Sequence, residues 1–213
     1  MKKEEKTKRT YERILAAAIV EFGTKNYDTA SLTTLCNENQ ISKGLVYHNF
    51  KNKDEIYLKC VEECFGKMTE YLKGRAYKDE SVQTSIHNLF QVRQQFFKEN
   101  PYYCNIFFNT VLQTPAHLRE KIHELRKEYD QFYVDCFREL LQQTQLRDGI
   151  TIDAAMEYLM IFFEMFNGYF QDKSCEKEDI HVLAENHEVN LSKILDIMLY
   201  GVVKEGKEKS GEK

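Results

Sequence analysis

The sequence predicts an all-α protein in two parts of unequal size, and three observations carry that expectation. Only two Pro and nine Gly occur in 213 residues, so the punctuation that many short strands require is missing. Apolar residues recur at i, i+3, i+4 and i+7 through most of the chain, which is the period of a helix and not the alternation of a strand. The length allows a small domain beside a larger one with its own core.

The first helix shows as a single stripe of Tyr11, Ile14, Leu15, Ala18, Ile19 and Phe22 that ends near Gly23. Ser31 stands as the N-cap of a second helix of about two turns, with Leu32, Leu35 and Cys36 facing inward. Asn39 and Gln40 end it in a tight turn, Asn being the residue that best tolerates a left-handed backbone after Gly. Ile41 plugs the turn into the core, and Ser42 caps a third helix running to about Phe50.

Asn52 caps a fourth helix, with Glu55 placed to complete a capping box. Its apolar positions, Ile56, Cys60, Val61, Cys64, Phe65, Met68, Tyr71 and Leu72, continue too far for a small domain, so it reads as a connecting rod. After a polar break at 74–81 come helices at about 82–99, from Pro101 to before Pro115, at about 117–145 and at about 152–171. The polar stretch 172–187 reads as a loop, and a last helix over 189–203 carries Leu191, Ile194, Leu195, Met198, Leu199, Val202 and Val203. This divides the chain into residues 1–52, residues 53–205 and a charged tail, 206–213, expected to be disordered.

The net charge of −4 is unevenly spread. Residues 1–55 hold ten Lys or Arg against eight Asp or Glu, and the remainder holds 20 against 26, so only the front of the chain suits a phosphate backbone. A basic start without an apolar run behind it, and the lack of any run of about 18 apolar residues, point to a cytoplasmic protein without a membrane span. Six cysteines without a C-x-x-C pair, mostly inside apolar helical patterns, read as reduced and buried.

Two short helices joined by a tight turn behind a longer one form a helix-turn-helix, whose second helix enters the major groove. In SKGLVYHNF, residues 42–50, Lys43, Gly44, Tyr47 and His48 share one helical face while Val46 and Phe50 turn inward. That face offers a cation, two aromatic hydrogen-bonding groups and a bare backbone spot where DNA can approach. Lys51 and Lys53 flank the start of the next helix, whose free N–H groups favour a phosphate.

The stretch NYDTASLTTLCNENQISKGLVYHNFKNKDEI resembles the signature of the TetR family of transcription regulators over about residues 10–60. It departs from that pattern at Asn26, where Gly is usual, and at Asn39 and Gln40, which replace a small residue and Gly. The resemblance implies DNA contacts by Ser42, Lys43, Gly44, Tyr47, His48 and Lys53, with Thr33 at the start of the first reading helix. It also implies a three-helix helix-turn-helix domain joined by a connecting helix to a larger helical ligand-binding and dimerisation domain, no enzyme activity and no cofactor.

Beyond residue 60 the resemblance is architectural: the last two helices of such regulators pair across a two-fold axis. Independently, the segment 152–171 is apolar nearly all round and must be covered on more than one side. Tyr158, Phe162, Met165, Phe166 and Tyr169, with Leu195, Met198, Leu199 and Val202, are therefore candidates for a homodimer interface. A two-fold dimer sets two reading heads about 34–36 Å apart, so the operator should be a palindrome in double-stranded DNA.

Phe65, Phe90, Phe97, Phe107, Phe108, Tyr129, Tyr133 and Phe163 are candidates to line the pocket of a small hydrophobic or aromatic effector, against ordinary core packing. Glu164 interrupts FFEMF and would suit a cationic ligand if buried beside aromatics, or reach solvent or the dimer rim. Effector binding would tilt the rod and shift the population toward a DNA-incompetent state, giving a repressor released by its ligand. Two alternatives stand beside this. Cys60 and Cys64, at i and i+4, could make a redox or metal sensor, and an all-α enzyme is the more remote reading, since no H-E-x-x-H, G-x-S-x-G or P-loop is present.

Overall fold

The computed structural model describes residues 3–75, 82–175 and 179–200. Among these there are nine α-helices, one short 3-10 turn and no strand. They are α1 (Lys3–Thr24), α2 (Leu32–Glu38), α3 (Lys43–Asn49), α4 (Lys53–Lys73), α5 (Val82–Glu99), α6 (Pro101–Leu112), the turn Ala116–Leu118, α7 (Arg119–Gln142), α8 (Ile152–Cys175) and α9 (Ile180–Tyr200).

The small N-terminal unit is held by caps and by one turn. Ser31 Oγ accepts from the Thr34 N–H, and Ser42 Oγ from the Leu45 N–H, so both short helices satisfy a free donor at their starts. The expected tight turn between them is present, but the left-handed residue is Gln40, at φ +52°, and not Asn39, at φ −103°. The hydrogen bonds explain the choice. Ile41 N–H reaches Cys36 O at 2.9 Å and Gln40 N–H reaches Asn37 O at 3.4 Å, a Schellman cap that requires the left-handed conformation one residue after the C-cap. Arg13 of α1 donates to Asn39 O at 2.6 Å and Gln40 O at 3.3 Å, which fixes the turn on the first helix. Replacing Gln40 with Gly should therefore relieve about 1 kcal/mol of backbone strain and raise the urea midpoint, without touching the reading face.

The polar segment 172–187 is not the loop its composition suggested. α8 continues to Cys175 and α9 begins at Ile180. On α9 the buried face is Leu183, Ala184, His187, Glu188, Leu191 and Leu195, a helical stripe with two polar members, Glu188 pairing with Arg93 of α5 and His187 with Glu188 and Asn167 of α8. Residues 201–213, with the predicted Val202, Val203 and charged tail, lie outside the described residues, as do 176–178 and the break at 76–81.

α6 is the hub, packing on α1, α4, α5, α8 and α9, and all its residues from Asn105 to Leu112 are buried. It meets α1 at Gly23, where a Cβ would lie 2.6 Å from Tyr102 Cβ and 2.8 Å from Tyr102 Cα. Only Gly permits that approach, and there Asn105 Nδ2 donates to Gly23 O at 2.6 Å, satisfying a carbonyl at the end of α1. α4 is buried on several sides, as a rod shared by both parts must be, through Ile56, Tyr57, Cys60, Val61, Cys64, Phe65, Met68 and Leu72. Tyr57 ties it to α6 through a 3.2 Å hydrogen bond with the Thr110 hydroxyl.

Candidate functional site

On α3 an inner and an outer side separate: Val46 and the following Phe50 are buried, while Ser42, Lys43, Gly44, Tyr47 and His48 are exposed, with Leu45 among them. Phe50 stacks on Tyr11 of α1, with ring centroids 5.0 Å apart, so the helix is clamped from its inner side. Tyr47 leaves 56% of its surface in solvent, so its ring and hydroxyl are available to a partner. Gly44 opens onto empty space, since nothing lies within 4 Å of a Cβ built there. A backbone bare on its outer side can approach a duplex closely, flanked by a cation and by hydrogen-bonding rings.

The remaining predicted residues lie on α2 and at the start of α4. Thr33 is exposed on α2 and Lys51 is exposed before α4. Lys53 is more engaged: its ammonium lies 4.5 Å from the Tyr27 ring centre and donates to Asp28 O at 3.5 Å. The Tyr27 hydroxyl in turn donates to Asp54 and lies 3.5 Å from His117 Nε2. Those bonds hold the Asp54 carboxyl below its ordinary 3.8, the Tyr27 contact contributing most. The start of the rod is thereby tied both to the α1–α2 connection and to the turn before α7.

In the larger part, Phe65, Phe90, Phe97, Phe107, Phe108, Tyr129 and Tyr133 come together in one buried aromatic cluster spanning α4 to α7, with Phe163 half-buried at its α8 edge. Glu164 does not join it. Its side chain is exposed on the outer face of α8, so the idea of a buried carboxylate for a cationic ligand is corrected: a helix presents adjacent residues to different sides.

A buried charge does exist, contributed by residues that the sequence did not mark. Arg93 of α5 donates through Nε to Glu188 Oε2 at 3.2 Å and through Nη2 to Oε1 at 2.6 Å, and through Nη1 to the Tyr129 hydroxyl at 3.4 Å. His187 Nδ1 is 3.2 Å from Glu188 Oε1, and its Nε2 is 3.0 Å from Asn167 Oδ1 on α8. Rings of Phe108, Phe166 and Phe170 enclose the imidazole. Burial alone would raise the Glu188 carboxyl, but Arg93 and His187 outweigh it and hold it below its ordinary 4.5. Burial pushes the His187 imidazole below its ordinary 6.5 against the pull of Glu188.

Both depressed values give the same sign. The stability they contribute is complete above pH 6.5 for His187 and above pH 4.5 for Glu188, and is lost as pH falls through their lower folded values. Arg93→Met strands a buried carboxylate and should cost about 3–5 kcal/mol in urea unfolding. Arg93→Met with Glu188→Met should recover most of that loss, because a packed apolar pair needs no desolvation.

The last two helices carry an uncovered apolar face. Tyr158, Ile161, Met165 and Tyr169 of α8 are exposed, as are Val182, Val189, Ile197 and Tyr200 of α9. Of the predicted interface residues, Tyr158, Met165 and Tyr169 are on it, and Phe162, Met198 and Leu199 are partly exposed beside it. Phe166 and Leu195 are corrected: both are buried within the protomer, Leu195 completely, because an amphipathic helix here divides two apolar faces and these residues belong to the inner one.

Cys60 and Cys64 are both wholly buried, and burial pushes both thiols well up from their ordinary range. Cys64 Sγ donates to Tyr103 O at 3.3 Å. Thiols so suppressed as thiolates suit packing and not redox exchange. Among the described residues no group of three or more His, Cys, Asp or Glu is placed to hold a metal ion, and no helix is long and apolar enough to cross a membrane.

Residues 14–60 match the family model of bacterial regulatory proteins of the tetR family, and residues 81–202 match the tetracyclin repressor-like C-terminal domain. The chain belongs to the TetR family. It is a DNA-binding, ligand-responsive transcription regulator and not an enzyme. It is 32% identical over 85 residues to IcaR of Staphylococcus epidermidis, the negative transcriptional regulator of the biofilm operon icaADBC; that match spans 40% of this chain and 44% of IcaR. It is 24% identical over 166 residues to the fatty acid metabolism regulator of Bacillus subtilis, spanning 71% of this chain and 77% of that protein. Among solved structures, Bacillus subtilis FadR in complex with stearoyl-CoA superposes with a TM-score of 0.62 at 16% identity, over 91% of this chain and all of FadR. FadR from Bacillus halodurans superposes at 0.57 with 17% identity, over the same shares. At those identities the likeness is one of fold. The regulator shares with them an N-terminal helix-turn-helix and a helical C-terminal domain.

Proposed function

We propose that this regulator is a cytoplasmic homodimeric repressor that grips a palindromic operator through its two α3 helices and releases it when an apolar effector enters the aromatic interior. Residues 1–52 serve as the reading head, and the chain from residue 53 senses and dimerises. The observation that carries this is the outer face of α3, where Lys43, Gly44, Tyr47 and His48 stand exposed on a helix whose inner side is clamped. Ser42 and Thr33 border the same face, and Lys51 and Lys53 supply phosphate contacts.

Dimerisation is supported by the apolar face on α8 and α9, which a second copy would cover by two-fold pairing. Repression agrees with the negative role of IcaR, and an effector with an apolar part agrees with the acyl chain of the stearoyl-CoA held by the structural relative and with the aromatic interior of this chain. The signal has a rigid route, because α6 lines the interior and is pinned to α1 through Asn105 and Gly23.

The test is release. Protein bound to its own upstream DNA is titrated with uncharged and charged amphiphiles below their micellar concentrations. Loss of the DNA complex with the protein still folded supports effector-gated repression, and DNA retention against every amphiphile contradicts it.

A further inference from the structure

Stability alone does not account for Arg93. A buried ion pair between helices is generally no better for stability than a packed apolar pair, yet this one sits at the centre of an aromatic cluster and binds three helices together. Its guanidinium, 5% exposed as a residue, presents a fork whose geometry is that of carboxylate recognition. The Tyr133 hydroxyl beside it is buried next to the Tyr129 hydroxyl, and its ring lies 5.8 Å from the guanidinium.

The second observation is the cradle of His187. Nδ1 faces a carboxylate oxygen of Glu188 and Nε2 faces the carbonyl oxygen of Asn167. Both are acceptors, and a neutral imidazole has one N–H to give them, whereas an imidazolium has two. The Asn167 amide can turn to offer either its oxygen or its NH2, so the cradle accommodates both protonation states of the imidazole, and burial together with Arg93 on Glu188 favours the neutral one. From the guanidinium, the rings of Phe90, Phe137 and Phe163 follow one another toward the half-buried edge of α8.

We propose that the effector is an apolar carboxylic acid whose head group takes the Arg93 fork from Glu188 and whose proton passes to His187, the tail lying among the rings that lead to Phe163. This rests on reading the aromatic interior as the effector site. The charges balance: the neutral acid enters, its O–H bond breaks, the ligand carboxylate pairs with Arg93, and the proton on His187 pairs with the freed Glu188. No net charge is buried. The groups that face the imidazole or its partners are Arg93 from α5, Cys104 from α6, Tyr129 and Tyr133 from α7, and Glu188 from α9 itself, while α8 offers the uncharged Asn167. Moving Glu188 breaks the link between α5 and α9 and so connects binding to the dimer-forming helix.

The test compares decanoic acid, decanol and decylamine, equal in chain length and different in head group, by calorimetry on the full-length protein in buffers of different ionisation enthalpy. Decanoic acid should bind about tenfold or more tightly than either of the others. Because it is ionised in solution above its own pKa, its binding at pH 7.5 should draw about one proton from the buffer, and its affinity should rise as pH falls toward 6. The preference should vanish in Arg93→Met/Glu188→Met, a pairing chosen because a packed apolar pair should restore the fold without either charge. Equal affinity for decanol or decylamine, binding without proton uptake, or an acid preference that survives in the double variant each overturns the proposal. Tight binding of decanol alone leaves the apolar-effector reading standing, whereas binding by none of the three removes both.

Discussion

Gly44→Glu is expected to lower operator affinity by more than about 100-fold while leaving the melting temperature unchanged or slightly raised. The two effects separate because the site is open. Nothing lies within 4 Å of a Cβ at Gly44, so the new side chain meets no protein atom at its base. Replacing Gly within a helix removes backbone entropy from the unfolded chain, and an acidic residue in the first turn of α3 suits the helix dipole, each worth a few tenths to about 1 kcal/mol. On DNA the same carboxylate faces phosphates and base acceptors, where like-charge contact costs several kcal/mol. Tyr47→Ala, at a ring already largely in solvent, should weaken binding about tenfold to 100-fold with little change in stability. Fluorescence anisotropy on the upstream DNA and a thermal melt read both quantities. A Gly44→Glu protein that binds like the wild type would show that α3 does not enter the groove.

Met165→Asp should turn the proposed dimer into a folded monomer. Met165 is the most exposed large apolar side chain in the described chain, at 71%, so in the isolated protomer an Asp there stands in water at little cost. Across a two-fold axis it would be buried against apolar neighbours and near its own copy, and a desolvated, unpaired carboxylate costs several kcal/mol per protomer. Sedimentation should show the monomer, circular dichroism should show unchanged helicity, and operator affinity should fall at least about 100-fold because one head engages only half a site. Leu195→Asp is the contrasting case. That side chain is wholly buried within the protomer, so the charge should unfold the chain and not merely divide the dimer.

The helix-turn-helix was legible in the residues because its information is local. Caps at Ser31, Ser42 and Asn52, the inward Val46 and the outward Lys43, Gly44 and Tyr47 all follow from sequence spacing. The turn was legible as a turn, but its left-handed residue is set by which carbonyl Ile41 can reach, so Gln40 and not Asn39 adopts it. Farther along the chain, the controlling partners are distant. His187 read as the end of a loop and Glu188 went unmarked, because polar residues normally face water; Arg93, 95 positions away from Glu188, and Asn167 of α8 are the partners that make them interior. Arg93 carries no local mark of its role, because most arginines on a helix face water. Phe166 and Leu195 were placed on the wrong side of their helices because a helix apolar nearly all round does not declare which face meets its own protomer. Glu164 drew attention as a charge among rings, and the helical rotation between neighbours turns it outward.

Hydroxyl-radical footprinting of the full-length protein on its own upstream DNA at low ionic strength tests whether two reading helices grip one duplex. Two protected patches on a single face of the DNA, with centres about 34–36 Å apart, are predicted. No protection, or one patch without a partner at that spacing, would contradict it.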